Sequence, residues 1–170
     1  MTAHNISTDR LFIIPMSYAI VHSVLKGENK ELDKLGIKTN GKWPLADTID
    51  ILNFIKDDME KSDEPSGFDV WMVVKKGDMT VIGDAGFRGK PDENGEIEIG
   101  FGLIKEEQRK GYGYELASGL LSWAFSQKGV KTIKADCLKD NNASINLLQK
   151  CGMNEINRDE EMIYWEIKSK

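Results

Sequence analysis

The 170-residue chain has two cysteines, two histidines, no excess of basic residues and no apolar run near the ~18 residues that span a bilayer. Each shortage removes a class of function. Cys137 and Cys151 form no C-x-x-C pair and are expected as free, buried thiols. With only His4 and His22, and no H-E-x-x-H or G-x-S-x-G stretch, neither a zinc hydrolase nor a serine triad is expected, and no metal site. Lys and Arg number 23 against 28 Asp and Glu, a net charge of −5, so broad nucleic-acid binding is not expected. "TAHNISTDRL", after Met1, lacks the apolar core of a signal peptide, which predicts a cytoplasmic protein without membrane contact.

The familiar nucleotide motifs are missing too. "GFRGKP" (86–91) has the wrong glycine spacing for a P-loop and puts Pro91 where a hydroxyl is needed. A Rossmann G-x-G-x-x-G fails because its third glycine falls on Leu116.

What is present is ordinary in bulk, 40% hydrophobic and 30% charged residues, which suits one globular domain over 1–170. "DRLFIIP" (9–15) reads as a strand. Residues 17–26 and about 45–61 read as helices, the second carrying Ile49, Leu52, Ile55 and Met59 at helical spacing. "FDVWMVVKKGDMTVIGDAGF" reads as a hairpin, and "KPDENGE" turns into a third strand, "IEIGFGLI". A helix over about 112–127 follows, then a strand over 131–138 with Ile133, Ala135 and Cys137 on one face. Asn141 or Asn142 caps a short helix stopped by Gly152, and "EMIYWEIK" closes the chain as a strand. The order predicts an α/β (α+β) fold with helices on a mixed sheet.

One stretch stands apart, "QRKGYGYE" (108–115), where two cations precede two glycines at the entrance of a helix. A helix N-terminus presents unpaired N–H groups and about half a positive charge. Gly111 and Gly113 carry no Cβ to keep a bulky anion from those amides, Arg109 offers a forked contact, and Lys110 a point charge. The stretch is built like a phosphate or diphosphate cradle. On "EIEIGFGL", alternation places Ile97, Ile99, Phe101 and Leu103 on one face, and Glu96, Glu98, Gly100 and Gly102 on the other. That second face is either a ligand-facing surface or a solvated one.

The run "GEIEIGFGLIKEEQRKGYGYELASGLLSWAF" resembles the central segment of the GNAT family of N-acetyltransferases. Gln108, Gly111 and Gly113 fill the family pattern [Q/R]-x-x-G-x-[G/A]. "STDRLFIIP" (7–15) is similar to the opening strand of the branch that acetylates ribosomal-protein N-termini. "VIGDAGF" (81–87) resembles the third strand, and "NNASINLLQKCGM" (141–153) the later Asn-x-x-Ser segment. The resemblance implies a single-domain GNAT fold, its sheet splayed between strands at about 97–104 and 131–137, with helices on both faces. It also implies a strand bulge near the glycines of 97–104.

The function implied is direct transfer of acetyl from acetyl-CoA to a primary amine within a ternary complex, by a monomer or homodimer. The coenzyme would meet Phe101, Leu103, Ile104, Gln108, Arg109, Lys110, Gly111, Tyr112, Gly113, Tyr114, Asn141 and Ser144. An amine is protonated at neutral pH, so a base is needed, and Glu98 is the first candidate with Glu96 second. Ser144 is a candidate acid, since the tyrosine common in this family four residues before Gly152 is replaced by Leu148. That replacement keeps open a non-catalytic acyl-CoA sensor, and a protein-interaction module on the same fold is a second alternative. Glu115 either supports the helix dipole or meets substrate, and Trp43 either lines the acceptor side or staples a loop.

Overall fold

The computed structural model describes residues 3–62 and 64–170. Its strands are β1 (Ile6–Ser7), β2 (Leu11–Pro15), β3 (Val70–Lys75), β4 (Thr80–Phe87), β5 (Glu96–Leu103), β6 (Thr132–Leu138), β7 (Asn154–Arg158) and β8 (Met162–Lys168). The helices are α1 (Tyr18–Leu25), α2 (Lys30–Lys34), α3 (Ala46–Met59), α4 (Tyr112–Ser126) and α5 (Asn142–Lys150), with a 3-10 turn over Lys105–Glu107. One eight-stranded sheet runs in the order β1-β2-β3-β4-β5-β6-β8-β7. Every neighbouring pair is antiparallel except β5 and β6.

Alternation along the strands sorts the two faces. Trp71, Ala85 and Phe101 are register partners across β3, β4 and β5, as are Phe87 and Ile99. These side chains meet α4, whose Trp123 packs on Trp71 at 5.1 Å and on Phe87 at 5.8 Å between ring centroids. α4 fits there because Leu116, Ala117, Leu120, Leu121 and Ala124 form one buried stripe. The opposite face carries Asp84, and Thr48 of α3 donates to its carboxylate, which puts the α1–α3 layer on that side. Helices therefore lie on both faces of a mixed sheet, as expected.

Local chemistry explains the helix ends. Ser17 caps α1 by accepting from the Ile20 N–H at 3.3 Å, and Asn141 caps α5 through the Ser144 N–H at 3.1 Å. Four elements lie beyond the sequence reading. β1 spans two residues, the 3-10 turn three, α2 is the charged "KELDK", and β7 is "NEINR" with every residue exposed. β7 is a sheet edge that no helix covers, so it lacks the apolar alternation that marks a strand.

The expected bulge in β5 is absent. Gly83 to Phe87 pair with Leu103 to Ile99 in unbroken register, and the irregularity falls instead between Val73 and Val74. The alternation on "EIEIGFGL" therefore survives intact.

Candidate active site

The parallel ladder between β5 and β6 is short. Its partners are Glu96 with Thr132, Ile97 with Ile133 and Glu98 with Lys134, and there it stops. Beyond Glu98 the two strands part. Successive peptides of a strand point to opposite edges. Glu98 C=O accepts from Arg88 N–H at 3.0 Å, and Ile104 N–H donates to Ile82 C=O at 2.8 Å, so the even-numbered residues of β5 turn their N–H and C=O groups to β4. The N–H groups of Phe101 and Leu103 therefore face the gap. On β6, Thr132 N–H reaches Gly95 C=O toward β5, and Lys139 N–H reaches Glu161 C=O on the other side. Asp136 accordingly turns its main chain into the same gap.

Below the gap lies the loop to α4. Gln108 Nε2 donates to Leu103 C=O at 3.0 Å, closing the turn. Arg109 has φ 62° and Gly111 φ 85°, two left-handed residues around Lys110. For arginine that region is costly, and such strain gathers where a loop must aim its groups. Glu107, 8% exposed, underpins the loop by accepting from Lys75 at 2.9 Å and Lys110 at 3.2 Å. Burial opposes its charge, but the two lysines prevail and hold its carboxyl below the ordinary range.

Arg10, in the turn before β2, closes the outer side of the loop. It donates from its main-chain N–H and its Nε to the Glu115 carboxylate at 3.0 and 3.1 Å, and from Nη1 to Lys110 C=O at 3.0 Å. Its guanidinium also covers the Tyr112 ring at 4.3 Å.

The two glycines also answer local packing needs. A Cβ on Gly111 would stand 3.2 Å from Arg10 Nη2, and one on Gly113 would stand 2.7 Å from Leu147 Cδ1 of α5. Gly111 is needed for the left-handed turn and Gly113 for the close approach of α4 and α5.

On the α3 side of the sheet, Glu98 and Asp136 share a cavity of about 490 Å³ with Arg88, Lys134, Asn157 and Tyr164. Burial raises the Glu98 pKa, Arg88 at 3.0 Å works against the rise, and the neighbouring Asp136 carboxyl adds to it. A cleft carboxyl held above its ordinary pKa suits proton acceptance near neutrality. Glu96 is tied to Lys134 at 2.7 Å, at the closed end of the ladder. Gly100 has open space where its Cβ would be, whereas the Gly102 position meets Leu45 Cδ1 at 3.4 Å.

The comparisons with known proteins agree with this geometry. Residues 11–154 match the acetyltransferase (GNAT) domain family. This chain belongs to the GNAT family. It is 36% identical over 160 residues to the uncharacterised N-acetyltransferase YjdG of Bacillus subtilis (strain 168), covering 94% of this chain and 95% of that protein. The fold matches the ribosomal-protein-S5-alanine acetyltransferase of Vibrio fischeri with TM-score 0.70 at 13% identity, over 98% of this chain and 97% of that one. It also matches the microcin C7 self-immunity acetyltransferase MccE, solved in complex with acetyl-CoA and AMP. That match has TM-score 0.63 at 14% identity, over 95% of this chain and 94% of MccE.

As a GNAT protein the chain is an acyltransferase, and its sheet is splayed where the resemblance implied. Phe101, Leu103, Gln108, Arg109, Lys110, Gly111, Tyr112, Gly113 and Tyr114 surround the lower part of the gap and the start of α4. Ile104 is buried at 1% exposure, its N–H donating to Ile82 C=O at 2.8 Å and its C=O accepting from Glu107 N–H at 3.0 Å, so both of its main-chain groups are spent within the fold. Asn141 and Ser144 sit together at the start of α5, where the Asn141 side-chain oxygen serves as the cap. Tyr114 lies under Lys150, 4.3 Å from the ring centroid, and Leu148 is core at 2% exposure. Trp43 is the staple, 3% exposed and donating to Asp84 at 2.8 Å.

Sequence reading missed Arg10, Asp136 and the Lys75–Glu107–Lys110 network. Only Asp136 had a local signal, since strand alternation puts it beside Lys134 on the face of Glu98. Among the described residues no helix is long and apolar enough to cross a membrane, and no group of three or more His, Cys, Asp or Glu is placed to hold a metal.

Proposed function

We propose that the chain transfers acetyl from acetyl-CoA directly to a primary amine, a protein N-terminus or a small-molecule amine, in a ternary complex. The observation that carries this reading is the parting of β5 and β6 beyond Glu98, directly above a loop with left-handed residues at 109 and 111. The gap-facing edge of β5, with the Leu103 N–H on it, binds an extended amide-bearing arm as an added strand would. The start of α4 receives the diphosphate through backbone amides, with Arg109 and Lys110 adding charge. The Phe101 N–H is the donor suited to the developing oxyanion.

Glu98 takes a proton from the acceptor ammonium, leaving a neutral nitrogen to attack the thioester carbon. Both carboxylates have a cationic partner, Arg88 for Glu98 and Lys134 for Glu96, but the raised pKa of Glu98 and its place where the strands part favour it over Glu96 at the closed end of the ladder. Ser144, at the start of α5, either binds the coenzyme or returns a proton to the departing thiolate. A protein N-terminus is favoured as acceptor by the likeness of residues 7–15 to the ribosomal branch and by the fold shared with the Vibrio fischeri enzyme.

The test is a mass-spectrometric screen of free-N-terminal peptides, amino acids and polyamines with acetyl-CoA, alongside thiol release. Acetylated product with stoichiometric thiol is the expected result. Coenzyme binding with no product across the panel would favour an acyl-CoA sensor instead.

A further inference from the structure

The opening "STDRLFIIP" holds a threonine and an arginine that the transfer chemistry leaves without a task. Thr8 closes the turn before β2, its N–H donating to Leu11 C=O at 2.9 Å and its Oγ1 accepting from Leu11 N–H at 3.1 Å. Lys76 N–H fastens the same turn from β3 by donating to Arg10 C=O at 2.9 Å. Arg10 thus leaves a braced turn, and its side chain reaches Glu115 and Lys110, 105 and 100 residues further along the chain.

Its contact with Lys110 C=O has a directional consequence. A trans peptide points its C=O and N–H in opposite directions. With the Lys110 oxygen drawn outward to Nη1, the N–H of the same peptide, that of Gly111, turns away from Arg10 and into the cradle. Gly111 then needs its left-handed φ of 85° to lead into α4. Glu115, which accepts from both Arg10 N–H and Nε, holds the guanidinium in register with the loop.

We propose that Arg10 is a positioning residue for the coenzyme, fixing the Lys110–Gly111 peptide so that its amide faces the diphosphate. The assignment rests on the reading of the α4 entrance as a diphosphate site. Arg10 acts through the loop and belongs to neither the gap nor the acceptor cavity, so its loss affects the diphosphate end of the ligand alone.

The experiment compares two ligands, coenzyme A and S-acetylpantetheine, which has the arm and thioester but no diphosphate. Dissociation constants are measured by titration calorimetry, or by competition for the weaker ligand, on wild type, Arg10→Ala and Arg10→Gln. Arg10→Ala is expected to weaken coenzyme A about 10-fold, as for loss of a charge-assisted hydrogen bond, and to leave S-acetylpantetheine within about twofold. Arg10→Gln keeps one amide donor for Lys110 C=O and is expected to lose about threefold for coenzyme A alone. It also serves if the alanine variant fails to fold.

Equal losses for both ligands, or unchanged affinity for both in a folded variant, overturn the proposal. A wild type that binds coenzyme A no better than S-acetylpantetheine defeats the diphosphate reading itself, and the role of Arg10 with it.

Discussion

Gly111 shows what one residue contributes to the coenzyme loop. At φ 85° a Cβ is disfavoured by about 1–2 kcal/mol, whatever room surrounds it. The room is also limited, because that Cβ would press on Arg10 Nη2 at 3.2 Å. Gly111→Ala is therefore expected to lose about 1–2 kcal/mol in urea unfolding and to bind coenzyme A about 10-fold more weakly. Full stability with full affinity would mean that the turn at 109–111 can be made without a glycine.

Glu98 raises a question of charge rather than shape. Burial and then the Asp136 carboxyl raise its pKa, while Arg88 opposes both. A base acts only when ionised, so kcat/KM falls as pH drops through that raised pKa. Asp136→Asn removes one raising influence, and the acid limb is expected to move to lower pH with the amine that the screen returns. Lys134 stays cationic and Tyr164 stays a neutral phenol in the same cavity, so an unmoved limb would assign the profile to another group.

At the scale of elements, legibility followed burial. α4 announced itself through its buried stripe, and β3 to β5 through their β-branched and aromatic runs between turns. β7 did not, because an exposed polar edge strand is held by its ladder to β8 and not by side-chain pattern. The active site divided in the same way. Glu98 and the 108–113 loop lie within single motifs, whereas Arg10 joins the loop across 105 residues of sequence to Glu115, a contact no local pattern encodes. Trp43 and Thr48 likewise become intelligible only when both are seen to donate to Asp84.

That contact pins the segment before α3 to β4. Burial raises the Asp84 pKa, against the pull of Thr48 and then Trp43. The sign follows from linkage: a carboxyl raised in the folded state contributes stability below its ordinary pKa of about 3.9, and loses it as pH rises through the folded value. Asp84→Asn still accepts from a donor but has no charge to desolvate. The difference in Tm, variant minus wild type, is expected to grow from pH 4 to pH 7 by scanning calorimetry. A constant difference would show that Asp84 ionises in the fold as freely as in water.

For the molecule as a whole, the parting of β5 and β6 is the feature on which the others converge. Two antiparallel blocks, β1 to β5 and β6 to β8, are joined in the sheet by three register pairs alone. α4 contacts β1, β2 and β5 on the first block and α5 beyond it, so the helix bridges the region where the sheet is open. The N–H groups along β5 then fall into two classes that differ only in the edge they face. Gly100, Gly102 and Ile104 face β4, while Phe101 and Leu103 face the gap. In amide hydrogen exchange without ligand, the Phe101 and Leu103 N–H groups are expected to exchange faster than their even-numbered neighbours. Saturating coenzyme A should slow those two, together with Asp136 and Gly111, and leave the β4-facing amides nearly unchanged. The contrast is internal to one strand, so a general gain in stability on binding cannot imitate it: that gain would slow both classes together. Uniform slowing along β5 would mean that the ligand stabilises the fold from elsewhere, and the gap would lose its claim as the binding site.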